Sequence, residues 1–285
     1  MKSTERSEQA MRLAKSVLKT TRAINRVRLR ADDDLAYMAM NFLTKQTQHM
    51  LSLVKLVPSR DALLILRTML EGWMQLIWLF PTFEGEMTEE DVEAHLDTAR
   101  GRAALWRHSA GVYEWQRIKD APSCSVPSEV IEDWKQWFDQ HGNKYLKRKV
   151  AKAGLSAEAA LDEDKNPFLK EWSTLKVSEM IRETWSKESA VIVSRIYSEY
   201  SKWQHWDAGL LRHETVTTNT ALSLRTELEP RELEELWLLA CRFMIDVGVV
   251  AAGVVGNREV KAQLIALSAK HLALSRSLGR VATDG

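Results

Sequence analysis

The chain has 285 residues, 45% hydrophobic and 28% charged, with 40 lysines and arginines against 39 acidic residues. That composition is globular and excludes disorder, while the near-zero net charge excludes a protein that coats phosphate backbones over its whole surface. The first 30 residues hold the local basic excess, at Arg22, Arg26, Arg28 and Arg30. Cys124 and Cys241 are too few for a disulfide framework and too distant for a metal knuckle, which points to a reducing, cytoplasmic setting. Lys2, Glu5, Arg6 and Glu8 leave the N-terminus without the apolar core of a signal peptide.

Glycine and proline are scarce, and apolar residues recur at helical spacing almost throughout. A first helix is expected over Thr4–Arg30. A second opens at Asp32–Asp34 and ends at Pro58. Ser59 caps a third, Arg60 to Phe80, which Pro81 stops. Thr88-Glu-Glu-Asp begins a helix with carboxylates against its positive dipole end, running to His108 and on toward Lys119. The stretch DAPSCSVPS is a loop, after which Ser128 caps a helix to Ala153. Gly154 to Thr174 reads as a short helix and a surface loop. Ser178 caps a long helix to Trp206, and the following TVTTNTALSLRTELEP is irregular. Pro230 opens a helix through Val255, and Asn257 caps the last one. The expected fold is an all-α bundle of about eight helices. A single domain spans 1–285, with a helical hairpin inserted at 120–175.

Leu63–Phe80 and Leu236–Gly256 are apolar enough to look membranous. Each carries an acid and a base in mid-span, Arg67 with Glu71 and Arg242 with Asp246, and charge there is costly in lipid. Both are therefore expected to be central helices of the bundle, with no membrane partner. Arg67 and Glu71 stand one turn apart in apolar company. Tyr197, Ser201 and His205 are spaced four and four, which places them within an arc of about 80° on one helical face. A buried face of that polarity needs polar partners, and Arg67 and Glu71 are the expected ones. Trp203 and Trp206 fall to other sides, so that helix is expected to be enclosed.

The segments LRTMLEGWMQLIWL and IYSEYSKWQHW carry a resemblance to the bacterial helical family catalogued as domain of unknown function 5677. That family pairs an Arg-x3-Glu helix with a later Tyr-x3-Ser-x3-His helix. The match covers Leu51 to His213, and the positions are Arg67, Glu71, Tyr197, Ser201 and His205. Gln204 departs from the small or aliphatic residue usual before the histidine. The resemblance implies an all-α, cytoplasmic, bacterial protein and names no reaction.

A more remote resemblance is to HEPN-type ribonucleases, in which an arginine and a histidine with four to six residues between them act on RNA. Arg102 and His108 meet that spacing, although a chain of this composition offers about one or two such pairs by chance. Ser201, His205 and Glu71 could be written as a hydrolase triad. However, no nucleophile elbow is present, and two residues on one regular helix lie alongside each other. HWDAGLLRHE is dense in potential ligands but has no metal signature, so neither a metal nor a cofactor is expected. Most of the eleven tryptophans are expected in the core.

The functional expectation is a toxin-like, phage-defence or stress effector acting on RNA or a nucleotide. Arg67, Glu71, Ser201 and His205 would be catalytic, and Tyr197, Arg102 and His108 would bind. The competing expectation is a helical interaction module, a homo-oligomer or partner-binding protein, whose polar cluster only pins two helices.

Overall fold

The computed structural model describes residues 3–24, 27–30, 32–80, 88–122, 125–162, 165–169, 175–201, 215–217 and 222–281. Their contacts form two compact units, Met1–Glu86 with Val177–Gly285, and Met87–Lys176. The architecture is all-α. Extended pairing among the described residues is confined to two isolated bridges and a short antiparallel hairpin in the stretch expected to be irregular, β1 (Thr215–Thr217) with β2 (Leu222–Leu224).

The first unit holds α1 (Ser3–Arg22), α2 (Asp34–Leu56), α3 (Ala62–Leu79), α9 (Val177–Thr184), α10 (Lys187–Ser201), α11 (Pro230–Val254) and α12 (Arg258–Val281). α11 is its centre and packs against α1, α2, α3 and α12. The apolar sequence of α11 explains that position, since buried residues occur on every side of it. α3 is the second central helix, lying against α2, α9, α10 and α11. Both are long and apolar enough to cross a membrane, and 67% and 61% of their apolar windows are buried inside the protein.

Caps define the ends of these helices. Asp33 accepts a hydrogen bond from the Ala36 N–H at the start of α2. Glu229 and Glu232 form a capping box at the start of α11, with Pro230 in its first turn. At the other end Gly256 takes a positive φ of 71°, and the Asn257 N–H reaches the Ala252 carbonyl. That left-handed turn closes α11 and suits glycine. The Asn257 side chain then caps α12 through the Val260 N–H.

α1 stops at Arg22 rather than Arg30. Arg22, Arg26 and Arg30 would repel at four-residue spacing along a continued helix. Arg30 instead pairs with Asp32 at 2.8 Å. The helix expected over Ser178–Trp206 also breaks, between Thr184 and Lys187. The break turns Trp185 onto Trp73, with ring centroids 5.3 Å apart, and Ser186 accepts from the Ser189 N–H to start α10.

The second unit holds α4 (Glu89–His108), α5 (Ala110–Asp120), α6 (Ser128–His141), α7 (Arg148–Lys152) and α8 (Ala157–Asp162). Its core is aromatic: Trp115, Trp134, Phe138, Tyr145 and Phe168. Every polar atom of these rings has a backbone carbonyl to donate to. Trp134 reaches Gly111 at 2.9 Å, Trp115 reaches Ala160 at 3.1 Å, and Tyr145 reaches Leu105 at 2.6 Å. These bonds draw α4 and α5 into the same unit as 120–175. α6 ends at His141, short of Ala153. The chain there passes through a 3-10 turn, and Leu146 becomes extended to bridge Phe168.

Candidate functional site

The central polar cluster grows from α3. Leu66, Met69, Leu70, Trp73 and Met74 are all buried on this helix, and Arg67 is largely buried among them. A guanidinium held that way needs a carboxylate within reach. Glu71, one turn on, supplies it: Arg67 Nη2 donates to Glu71 Oε1 at 2.7 Å, with side chains 10% and 29% exposed. α10 brings Tyr197 to the same pair. Its hydroxyl donates to Glu71 Oε1 at 3.3 Å, and Arg67 Cζ lies 5.9 Å from the centre of its ring. The sequence-predicted meeting of Arg67, Glu71 and Tyr197 is thus present.

Two polar atoms in this region are buried without a partner, Arg67 Nε and Ser201 Oγ. Native interiors rarely leave such atoms unsatisfied, and Gln46 Oε1, Thr47 Oγ1 and His271 Nδ1 share the condition elsewhere in the first unit. Both bonds to Glu71 fall on Oε1, so its second oxygen makes no hydrogen bond among the described residues. The contacts join Arg67, Glu71 and Tyr197 and leave one carboxylate oxygen of Glu71 unbonded, while Ser201 stands one helical turn beyond Tyr197 on α10. His205 lies outside the described residues. α10 is not enclosed as expected: Val191 and Ile192 are 69% and 61% exposed on its outer side.

Arg102 and His108 belong to α4, in the second unit. Six residues of helix separate them by about 9 Å of rise and 240° of turn, so they project to different sides. The His108 ring stacks on His141 with centroids 3.8 Å apart and planes 14° from parallel. No group of three or more His, Cys, Asp or Glu converges among the described residues. Cys241 is buried and free, and burial pushes its thiol well above the usual range. Trp115, Trp134 and Trp137 are core or wall residues of the second unit, while Trp172 lies outside the described residues.

The other central ion pair opens on a cleft of about 490 Å³, walled by Trp73, Ile77, Trp185, Ile245 and Leu272. Arg242 Nε and Trp73 Nε1 both donate to Asp246 Oδ2, at 2.8 and 2.9 Å. Burial raises the Asp246 carboxyl despite the guanidinium beside it. Sequence reasoning found the Arg242–Asp246 pair but not Trp73, because no local spacing relates an indole on α3 to an acid on α11.

His271 lies near this pair. Its Nε2 faces the Leu238 carbonyl at 3.0 Å and so carries the proton of the neutral ring, while Nδ1 is buried without a partner. Burial lowers its pKa, as it does for His49, where Lys45 adds to the effect. Below an ordinary histidine value near 6.5, the unfolded chain takes up protons that these folded sites refuse. Stability is therefore full above that value and falls as pH drops from 7 toward 5. Asp246, with its pKa raised, acts in the opposite sense at lower pH. The measurement is Tm against pH for the wild type and for His271→Gln, which keeps a donor for Leu238. The variant should show the shallower decline, and parallel curves would refute the assignment.

Compared with protein-family models, curated proteins and solved structures, the chain finds no match in any of the three.

Proposed function

We propose that this chain is a cytoplasmic bacterial effector that binds an RNA or nucleotide phosphate at the Arg67–Glu71–Tyr197–Ser201 cluster, with His205 completing the site. The observation that carries the reading is the pair of buried, unpartnered polar atoms, Arg67 Nε and Ser201 Oγ, on two helices that the Tyr197–Glu71 bond ties together. A guanidinium and a hydroxyl are suited to phosphate oxygens. In this reading the second oxygen of Glu71 accepts a proton from a ribose or a water. The resemblance to the family catalogued as domain of unknown function 5677 rests on these same positions and adds His205 to them.

The second reading, an interaction module with a structural cluster, draws on the same Tyr197–Glu71 bond, because that contact alone would pin α3 to α10. Ser201→Ala separates the two. Removing an orphan hydroxyl should leave Tm unchanged or raise it, since a buried unsatisfied group costs about 1–3 kcal/mol. The effector reading expects binding of ATP or a short RNA to weaken tenfold or more in this variant. It also expects growth arrest on expression to disappear in Ser201→Ala and His205→Ala. Unchanged binding, or a wild type that neither binds nor arrests growth, would leave the structural reading standing.

A further inference from the structure

The basic residues near the N-terminus are not absorbed by the central cluster. Lys15, Lys19 and Arg22 follow one another on α1 at spacings of four and three, about 6 and 4.5 Å of helical rise. Together with Leu18 and Ala23, and with Val54 of α2, they line an open cleft of about 530 Å³. None of the three makes an ion pair among the described residues. Arg12 and Arg30, by contrast, are paired, with Glu8 at 3.4 Å and with Asp32 at 2.8 Å. The negative end of the α1 dipole favours Lys19 and Arg22 in the last turn, but its reach ends before Lys15. Like charges at four-residue spacing also disfavour the helix. In a chain of nearly balanced charge, this concave surface keeps a cationic excess that the fold does not use.

We infer that this cleft holds the sugar–phosphate backbone of a single-stranded nucleic acid, with Lys15, Lys19 and Arg22 each engaging phosphate oxygens. Among the described residues the lining contains no aromatic ring and no amide side chain, so it offers contacts to the backbone rather than to the bases, and binding is expected to be independent of sequence. An anionic lipid surface fits less well. Ala14, Val17 and Leu18 turn into the bundle, which leaves α1 without a continuous apolar face to insert into a bilayer, and Val54 is the one exposed large apolar side chain among the described lining residues. The cleft shares no residue with the central cluster and stands whether or not that cluster takes a nucleotide.

The test is fluorescence anisotropy of a labelled twenty-nucleotide oligouridylate with the full chain at 50 and 200 mM NaCl. A Kd of about 10⁻⁵ M is expected at the lower salt, as for sequence-independent contacts. Three neutralised phosphates on a single strand give a salt slope of about −2, so affinity should fall roughly twentyfold between the two salts. Combining Lys15→Gln, Lys19→Gln and Arg22→Gln, all at exposed positions, should weaken binding at least tenfold at 50 mM and flatten the slope. Arg12→Gln, which removes a cation already paired, should change neither. A wild type that does not bind, or a triple variant that binds like wild type, would overturn the inference. So would phosphatidylserine vesicles that bind the wild type and displace the oligonucleotide, which would assign the surface to lipid. Ser201→Ala should leave the salt slope intact even where it abolishes ATP binding, so failure of one site does not decide the other.

Discussion

Arg6→Ala should lower the unfolding free energy by about 3–5 kcal/mol, the loss typical when one member of a buried ion pair is removed. Arg6 Nε on α1 donates to Glu234 Oε1 on α11 at 2.9 Å, with side chains only 11% and 5% exposed. Truncating Arg6 strands a carboxylate beside the helix at the centre of the first unit, and the penalty comes from that desolvated charge rather than from the lost bond. The distinguishing control is the double replacement Arg6→Leu with Glu234→Leu, which removes both charges and keeps the volume apolar. It should recover most of the loss. Urea denaturation read at a common pH measures both variants. A loss below about 1 kcal/mol for Arg6→Ala, the range of an exposed surface pair, would show that the contact is not buried in solution.

That pair also shows which contacts the sequence could disclose. Arg67 with Glu71 and Arg242 with Asp246 were legible because both partners lie one helical turn apart on an apolar helix. Arg6 and Glu234 are 228 residues apart, and nothing local relates them. The same limit applies to the bonds that Trp73 makes to Asp246 and Trp78 makes to Glu183. The class of fold was legible from spacing and from the scarcity of glycine and proline, and the caps at Asp33, Pro230 and Asn257 fell where their chemistry demands. Helix breaks were not. The stop after Arg22, the turn at Trp185 and the end of α6 at His141 each answer to a tertiary contact or to repulsion along the helix, which outweighs an unbroken apolar pattern.

In the central cluster, Tyr197 could be assigned to Arg67 and Glu71 because a buried hydroxyl must find a polar partner. The orphan atoms could not be foreseen, since a missing partner leaves no trace in a spacing. They also change what the cluster means. A network that existed only to fix helix register would be expected to satisfy its own members, as the tryptophans and Tyr145 of the second unit do with backbone carbonyls. The central cluster does not: Arg67 Nε and Ser201 Oγ stay unpartnered, as do Gln46 Oε1 and Thr47 Oγ1 elsewhere in the first unit.

Gly111→Ala should destabilise the second unit by about 3 kcal/mol, against the direction that helix propensity alone predicts. Gly111 lies in the first turn of α5, and a methyl group there would stand 2.1 Å from Cδ2 and Cε2 of Trp137. The obstacle is the fused ring junction of an indole, not the end of a flexible chain. Trp137 cannot yield easily, because its Nε1 donates to the His108 carbonyl at 2.8 Å and its ring stacks on Tyr145. Overpacking of this kind costs about 1–3 kcal/mol, and displacing the indole would add about 1 kcal/mol for the broken hydrogen bond. Gly101, in the interior of α4, is the matched control, for a methyl group there meets nothing within 4 Å. Gly101→Ala should therefore stabilise by about 0.5–1 kcal/mol through the restricted unfolded chain and the better helix former. Thermal or urea unfolding of the two variants should move in opposite directions from wild type. If both variants gained stability, the close approach of Trp137 to the α5 backbone would be refuted, and with it the packing that joins α6 to the junction of α4 and α5.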